Sequence, residues 1–185
     1  MRAFVAIELP PLDGPIPSEL RPEDHLTLQF FEDLPADRLP VAVEVMGSVA
    51  GDIAPFVLEV RGVGSFPTPH RPRVVWAGIG EGAVAVQSLG NRLRSALAAR
   101  GFPVEGRPFV PHLTLARIRS PRDAAWAGRF LGGSENVGRV WVRTPVSELV
   151  LKESELLPTG ARHTVRARVR LGPSPSPPPS ERRTD

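Results

Sequence analysis

An apolar run, Ala3-Phe4-Val5-Ala6-Ile7, opens the chain and predicts a buried strand over residues 2–9, ended by Pro10-Pro11. Residues 10–24 carry five prolines and leave no room for a helix of useful length. Polar and apolar positions then alternate over residues 25–30, the period of a second strand. Asp37 can cap a helix running to residue 50, with Val41, Val45 and Val49 on one face and Gly51 as the stop. Strands follow at 56–60 and 73–79, with a loop from Gly62 to Pro72 between them. The clearest helix spans 83–100, where Val86, Leu89, Leu93 and Leu97 form a stripe and Gly101 supplies the stop. A strand over 109–118 leads to Ser120-Pro121, a cap and first-turn pair that opens a short helix to Leu131, broken by Gly132-Gly133. Strands at 146–154 and 164–171 complete an α+β chain of seven or eight strands and three helices. After Gly172 a Pro/Ser-rich stretch has no apolar anchor and reads as a disordered or polyproline tail. The expected organisation is one folded unit over 1–171 and a tail over 172–185.

Composition narrows the chemistry. With 185 residues, 41% of them hydrophobic, the chain can bury a core without disulfides or a structural metal. It has no Cys, which excludes disulfides, thiolate metal sites, Fe–S clusters and thiol catalysis, and no Tyr, which removes a phenol as general acid. The isoelectric point near 10.7 overstates its charge, because the net charge is only +3, the basic residues are almost all arginine, and no Cys or Tyr titrates between neutrality and the arginine range. With that single lysine, any phosphate contacts fall to guanidinium groups, which suit bidentate recognition. A GC-rich genome produces the same arginine bias. No signal-like opening and no run approaching 18 apolar residues occurs, so a soluble cytoplasmic protein with no membrane association is expected.

Only four histidines occur, and two stand in an identical tetrapeptide: His25-Leu26-Thr27-Leu28 and His112-Leu113-Thr114-Leu115. From residue frequencies, one such match is expected in roughly 0.03 of comparable chains and two in fewer than about one in a thousand. Strand alternation sends His and Thr of each tetrapeptide to one face and the leucines to the other. If the two strands face each other, two imidazoles and two hydroxyls converge. That set suits phosphodiester chemistry: a neutral imidazole takes a proton from water, a protonated one supplies the departing ribose oxygen, and the hydroxyls hold the non-bridging oxygens. A lone strand histidine is ordinarily structural, and it is the matched pair that turns the reading towards catalysis. Two histidines without Cys or a carboxylate at ligand spacing make a poor zinc set, so neither metal nor cofactor is expected.

The paired H-x-T-x motifs resemble those of the two-histidine phosphoesterases, and within them the RNA 2′,3′-cyclic phosphodiesterases, also called 2′-5′ RNA ligases. Further likeness lies in Met1-Arg2-Ala3-Phe4-Val5-Ala6-Ile7-Glu8-Leu9-Pro10, in Arg107-Pro108-Phe109-Val110-Pro111 before His112, and in Gly64-Ser65-Phe66-Pro67 with Pro72-Arg73-Val74-Val75-Trp76-Ala77-Gly78. Leu151-Lys152-Glu153-Ser154 with Pro158 and Gly160 adds to it, so the resemblance covers residues 1–171. It implies two pseudo-symmetric lobes, each an antiparallel sheet with helices outside, and a cleft between them. It implies metal-independent hydrolysis of an RNA 2′,3′-cyclic phosphate to a 2′-phosphomonoester, with 2′-5′ ligation as the reverse reaction. By that analogy His25 donates a proton to the 3′ oxygen, His112 accepts one from water, and Thr27, Thr114 and Arg117 bind phosphate. The implied partner is RNA with a cyclic phosphate end, tRNA fragments among the candidates, and a monomer without protein partners is expected.

Several positions stay open. Strict alternation puts Arg117 on the face opposite His112, so its phosphate role needs a twist, bulge or strand end; otherwise it is a solvated arginine. Phe30, at the same offset from His25, either stacks on a base or belongs to the core, and the core reading is preferred. His163 replaces an aromatic usual in the family and is expected at the surface. Arg162, Arg166, Arg168 and Arg170, the last three expected on one strand face, are read as a solvated sheet face in preference to an RNA track. Residues 10–24 replace a helix usual in the family, a shortening expected to open one side of the cleft or weaken the first lobe. Two other functions compete: a phosphodiesterase for small nucleotides such as an ADP-ribose cyclic phosphate, and a non-catalytic binder of RNA ends.

Overall fold

The computed structural model describes residues 1–158 and 160–172. In chain order the elements are β1 (Ala3–Glu8), β2 (His25–Phe31), α1 (Leu39–Gly51), β3 (Phe56–Thr68), β4 (Arg71–Ile79), α2 (Ala83–Ala99) and β5 (Leu113–Arg117). Then come α3 (Pro121–Gly132), α4 (Ser134–Val137), β6 (Val140–Val146), β7 (Glu148–Leu157) and β8 (Gly160–Arg170). The strands form two four-stranded antiparallel sheets, ordered β2-β1-β7-β8 and β5-β4-β3-β6. Helices α1 and α2 cover one face of the first sheet, and α3 and α4 cover the second. This is the α+β arrangement of two lobes with outer helices that the sequence leads one to expect. The strand carrying His25 and the strand that follows His112 are both edge strands, β2 and β5, and they meet where the sheets come together.

The core is continuous across both lobes. The stripe Val86, Leu89, Leu93 and Leu97 buries α2 against its sheet, and Leu26, Leu113 and Leu115 are fully enclosed. Helix α3 begins as expected: Ser120 Oγ accepts from the Asp123 N–H at 3.2 Å while Asp123 accepts from the Ser120 N–H at 3.0 Å. Proline-rich residues 10–24 join the lobes. Leu20 is buried, the Asp13 N–H donates to the Trp141 carbonyl at 2.6 Å, and the Arg21 and Glu23 N–H groups donate to Leu115 and Thr114 at 2.8 and 2.9 Å. The lead-in to β2 thus lies alongside β5 like a short extra strand.

Four expectations change. The segment 62–72 is no loop, because β3 and β4 continue through it as a hairpin with register shifts between Arg61 and Gly64 and between Phe66 and Pro67. Pairing of the strand expected at 109–118 covers only Leu113–Arg117, since Pro108 and Pro111 have no N–H to give. Residues 140–146 form a separate edge strand, β6, where Pro145 is tolerated, so the last three strands replace the expected two. Residue 37 lies in a short 3-10 turn, Ala36–Arg38, and α1 starts after it with Pro40 in its first turn. Gly172 is tied to the fold by its N–H to the Ala50 carbonyl at 3.1 Å, and the rest of the expected tail lies outside the described residues.

Leu113 sits at the lobe junction with 0% exposure, whereas Val84 is 85% exposed. Leu113→Ala is therefore expected to cost about 2–5 kcal/mol in urea unfolding, and Val84→Ala no more than about 0.5 kcal/mol. Equal losses would mean that the junction is not a packed core.

Candidate active site

Both motif strands break strict alternation at the same place. In β2 the partners of Val5 and Ala6 are Gln29 and Thr27, so Leu28 is an extra residue. In β5 the partners of Val75 and Trp76 are Ala116 and Thr114, so Leu115 is the extra residue. Each is a one-residue bulge directly after the motif threonine. Its effect is to rotate the following residues: His25, Thr27 and Phe30 all pair with one face of β1, opposite Glu8, Ala6 and Phe4. Likewise Thr114 and Arg117 pair with Trp76 and Val74, two residues of one β4 face. The bulge that Arg117 needed is present, and it moves Phe30 in the same way.

His25 is 5% exposed and lies stacked on Phe4, ring centroids 4.5 Å apart. Phe4, Ala6 and Val150 form a small apolar floor here, separate from the main core, with Phe30 against it. Nδ1 of His25 lies 2.7 Å from an Asp24 carboxylate oxygen, and Nε2 lies 3.7 Å from Glu23. A carboxylate only accepts, so Nδ1 carries its proton and Nε2 is left for the substrate. Burial pushes the Asp24 carboxyl up, but the bond from His25 and the Lys152 charge outweigh it and hold the group below its usual range. Lys152, the chain's single lysine, is buried and pairs with Glu8 at 2.7 Å, with Asp24 at 3.8 Å. That pairing is what makes a buried ammonium tolerable.

His112 stands just before β5. Its Nδ1 is 2.7 Å from the Val110 carbonyl oxygen, which can only accept, so the neutral ring keeps its free lone pair on Nε2. Phe66 lies edge-on to it at 4.9 Å and Trp76 at 6.2 Å. The approach to His112 is held by α2: Phe109 rests on Gly90, where a Cβ would overlap the ring, and Gln87 Nε2 donates to the Phe109 carbonyl at 2.9 Å. Arg94 donates to the carbonyls of Glu105 and Arg107 at 2.9 and 3.3 Å. One lobe's helix therefore aims the other lobe's histidine.

The cleft joins these parts. A cavity of about 570 Å³ takes in His25, Thr27, Phe30, Arg117 and His163, and another of about 880 Å³ takes in Thr27, Phe30, Phe66 and His112. Thr27 and Phe30 line both, so the two histidines open onto one continuous trough. Thr114 is buried and lines a neighbouring groove that shares Glu23 and Arg117 with the His25 cavity. Arg117 is held by Glu23 at 2.7 Å, at the mouth of the cleft.

His163 is exposed, as expected, and it also borders the site. Its ring stands edge-on to His25 at 5.4 Å and to Phe4 at 5.0 Å, because the β7–β8 register puts it opposite Ser154 on the cleft side. Asp24, Lys152 and His163 are the site residues that sequence reasoning did not place in the site; for Lys152 its singularity was a signal. The arginine run of β8 is exposed, and three of its four members are matched with acids: Arg162 with Glu155, Arg166 with Glu153, Arg168 with Glu8 and Glu148. A register shift at Arg166 removes it from the row of Arg168 and Arg170, so the last three do not share a strand face. Among the described residues, no three His, Asp or Glu side chains gather as metal ligands, and no helix is long and apolar enough to cross a membrane.

Comparison with known proteins gives consistent matches. The 2′-5′ RNA ligase superfamily matches over residues 14–151. An RNA 2′,3′-cyclic phosphodiesterase of Methanothermobacter thermautotrophicus is 36% identical over 146 residues, 78% of this chain and 77% of the relative. One of the same name from Aeropyrum pernix is 37% identical over 139 residues, 74% of this chain and 75% of the relative. Among solved structures, TT0787 of Thermus thermophilus superposes with a TM-score of 0.69 at 28% identity, covering 94% of this chain and 99% of that one. Escherichia coli LigT complexed with 3′-AMP superposes with a TM-score of 0.67 at 27% identity, covering 92% and 97%.

Burial beside Phe4 and His25, then the charge of His25, hold the His163 imidazole below its usual range; Lys152 acts in the same direction, while Asp24 and Glu23 oppose it. A proton NMR titration should therefore give His163 a midpoint below that of a free histidine. His25→Ala removes a burying neighbour and a charge at once, so it should move that midpoint up. A midpoint unmoved by the substitution would contradict the contact.

Proposed function

The chain belongs to the 2′-5′ RNA ligase superfamily, and on that footing we propose that it opens an RNA 2′,3′-cyclic phosphate to a 2′-phosphomonoester, without a metal. The observation that carries the reading is the pair of H-x-T-x segments at two facing sheet edges, with both histidines opening onto one trough. Cyclic phosphodiesterase activity needs one group to take a proton and one to give it, and the two imidazoles are anchored differently. His112, with Nδ1 bound to a carbonyl, presents the Nε2 lone pair to water. His25, with Nδ1 bound to Asp24, presents Nε2 as the donor to the leaving oxygen.

In this scheme water adds to phosphorus as His112 takes its proton. The bond from phosphorus to the 3′ oxygen breaks, and His25 protonates that oxygen. The two histidines then re-equilibrate with solvent, so the net reaction consumes one water. Thr27 and Thr114 hydroxyls and the Arg117 guanidinium hold the non-bridging oxygens. Phe30, on the apolar floor under Arg2, offers its free face to the terminal base.

The test is a short RNA ending in a 2′,3′-cyclic phosphate, incubated in EDTA, with 2′- and 3′-phosphate products resolved. Wild type should yield the 2′-phosphate. His25→Ala and His112→Ala should each lose about 10²–10⁴ in kcat, whereas Thr27→Val and Thr114→Val should chiefly raise KM. The rate should follow a bell against pH, since one imidazole acts neutral and the other charged. A flat profile, a 3′-phosphate product or activity abolished by EDTA would each refute part of the scheme. Turnover of small cyclic nucleotides alone would favour the small-nucleotide enzyme, and binding without turnover an RNA-end binder.

A further inference from the structure

Beside the trough runs a second groove, of about 650 Å³, between the lead-in to β2, the end of β5 and one side of α3. Five arginines line it, at positions 21, 117, 119, 122 and 129, against three carboxylates, Glu19, Glu23 and Asp123. The carboxylates are largely occupied. Glu23 holds Arg117, Asp123 closes the cap of α3, and Glu19 accepts from the Ser18 hydroxyl at 3.1 Å. Arg21 is turned onto the Ser18 and Leu20 carbonyls. Arg119, Arg122 and Arg129 are exposed and make no ion pair among the described residues. This sets them apart from the β8 arginines 162, 166 and 168, each of which has an acid partner.

Spacing organises the free charges. Arg122, Trp126 and Arg129 recur at four and three residues along α3, so they share one helical face. The Trp126 indole is partly exposed on that face and stacks on Phe130 with centroids 4.9 Å apart, which fixes its plane. Guanidinium groups interleaved with a fixed aromatic plane are the chemistry that holds a single nucleic-acid strand: charge for the phosphates, stacking for a base. The groove is also continuous with the active site, since Glu23, Arg117 and Arg119 line both it and the cavity of His25.

We propose that the RNA strand attached to the cyclic phosphate runs out of the cleft along this groove, over Arg119, Arg122, Trp126 and Arg129. The substrate is then a single-stranded RNA of several nucleotides, preferred over a cyclic mononucleotide. The inference rests on the phosphodiesterase reading, which it deepens by naming the substrate's length and path. Three neutralised phosphates give a log–log salt slope of about −2 for binding a single strand, and loss of two arginines removes about 1.4 of it.

The experiment compares a single-stranded RNA of about eight nucleotides ending in a 2′,3′-cyclic phosphate with 2′,3′-cyclic CMP, on wild type and on Arg122→Gln/Arg129→Gln. Wild type should favour the oligomer, with kcat/KM for it falling as salt rises. The double variant should lose at least tenfold more on the oligomer than on the mononucleotide. Equal wild-type turnover of both substrates, or equal losses on both, overturns the proposal. If wild type hydrolyses neither, the phosphodiesterase reading fails, and anisotropy of the labelled oligomer still decides the groove. Weaker, less salt-dependent binding by the double variant then supports the groove, and unchanged binding overturns it.

Discussion

Two edge strands, each thrown out of register by one leucine, set the geometry of everything in the cleft. Without the bulges at Leu28 and Leu115, alternation would send Phe30 and Arg117 to the faces opposite their motif residues. With them, His25, Thr27 and Phe30 share one face, as do Thr114 and Arg117. A bulge leaves a residue unpaired in the ladder, and both extra leucines are buried, at 2% and 0% exposure. Core packing of the leucine side chains is what makes the interruption tolerable, and the edge position means that only one ladder per strand is disturbed. The identical tetrapeptides thus sit at an identical local break as well as carrying an identical set of side chains.

The lobes are held in relation by short-range means. Backbone bonds from Arg21 and Glu23 to β5 bring the first motif beside the second, while α2, packed on the first sheet, grips the approach to His112 through Gly90, Gln87 and Arg94. The proline-rich segment 10–24 therefore takes part in the junction, and its residues 19, 21 and 23 form one wall of the arginine groove. Charge is handled by the same economy. Glu8 serves both Lys152 and Arg168, and Glu23 stands between Arg117 and His25, so one acid answers two cations at each place. Arg2, Arg71 and Arg73 in the cavities and Arg119, Arg122 and Arg129 along the groove make no ion pair among the described residues, and the last three lie where a polyanion would leave the cleft.

Much of this was legible in the chain. The stripe of α2, the Ser120 cap and the repeated tetrapeptide are local patterns, and each appears where its spacing places it. The failures are non-local. Period-two reasoning has no term for a bulge, which is set by the partner strand's register, so alternation alone leaves the orientation of Arg117 open. Strand β6 was hidden by Pro145, harmless only because the strand is at an edge. His163 is at the surface as expected, but nothing near it in sequence shows that the pairing of β8 with β7 also brings it beside His25. The Asp24–Lys152 pairing likewise joins residues that are distant in the chain and adjacent only in the folded sheet.

The account stands on one phosphate being reached from both lobes at once. A crystal structure with a 2′-phosphorylated nucleotide bound tests that directly. The phosphate should lie within hydrogen-bonding distance of the Thr27 and Thr114 hydroxyls, with Nε2 of His25 on one side and Nε2 of His112 on the other. A phosphate contacted by one motif only, or seated away from the trough, would contradict it.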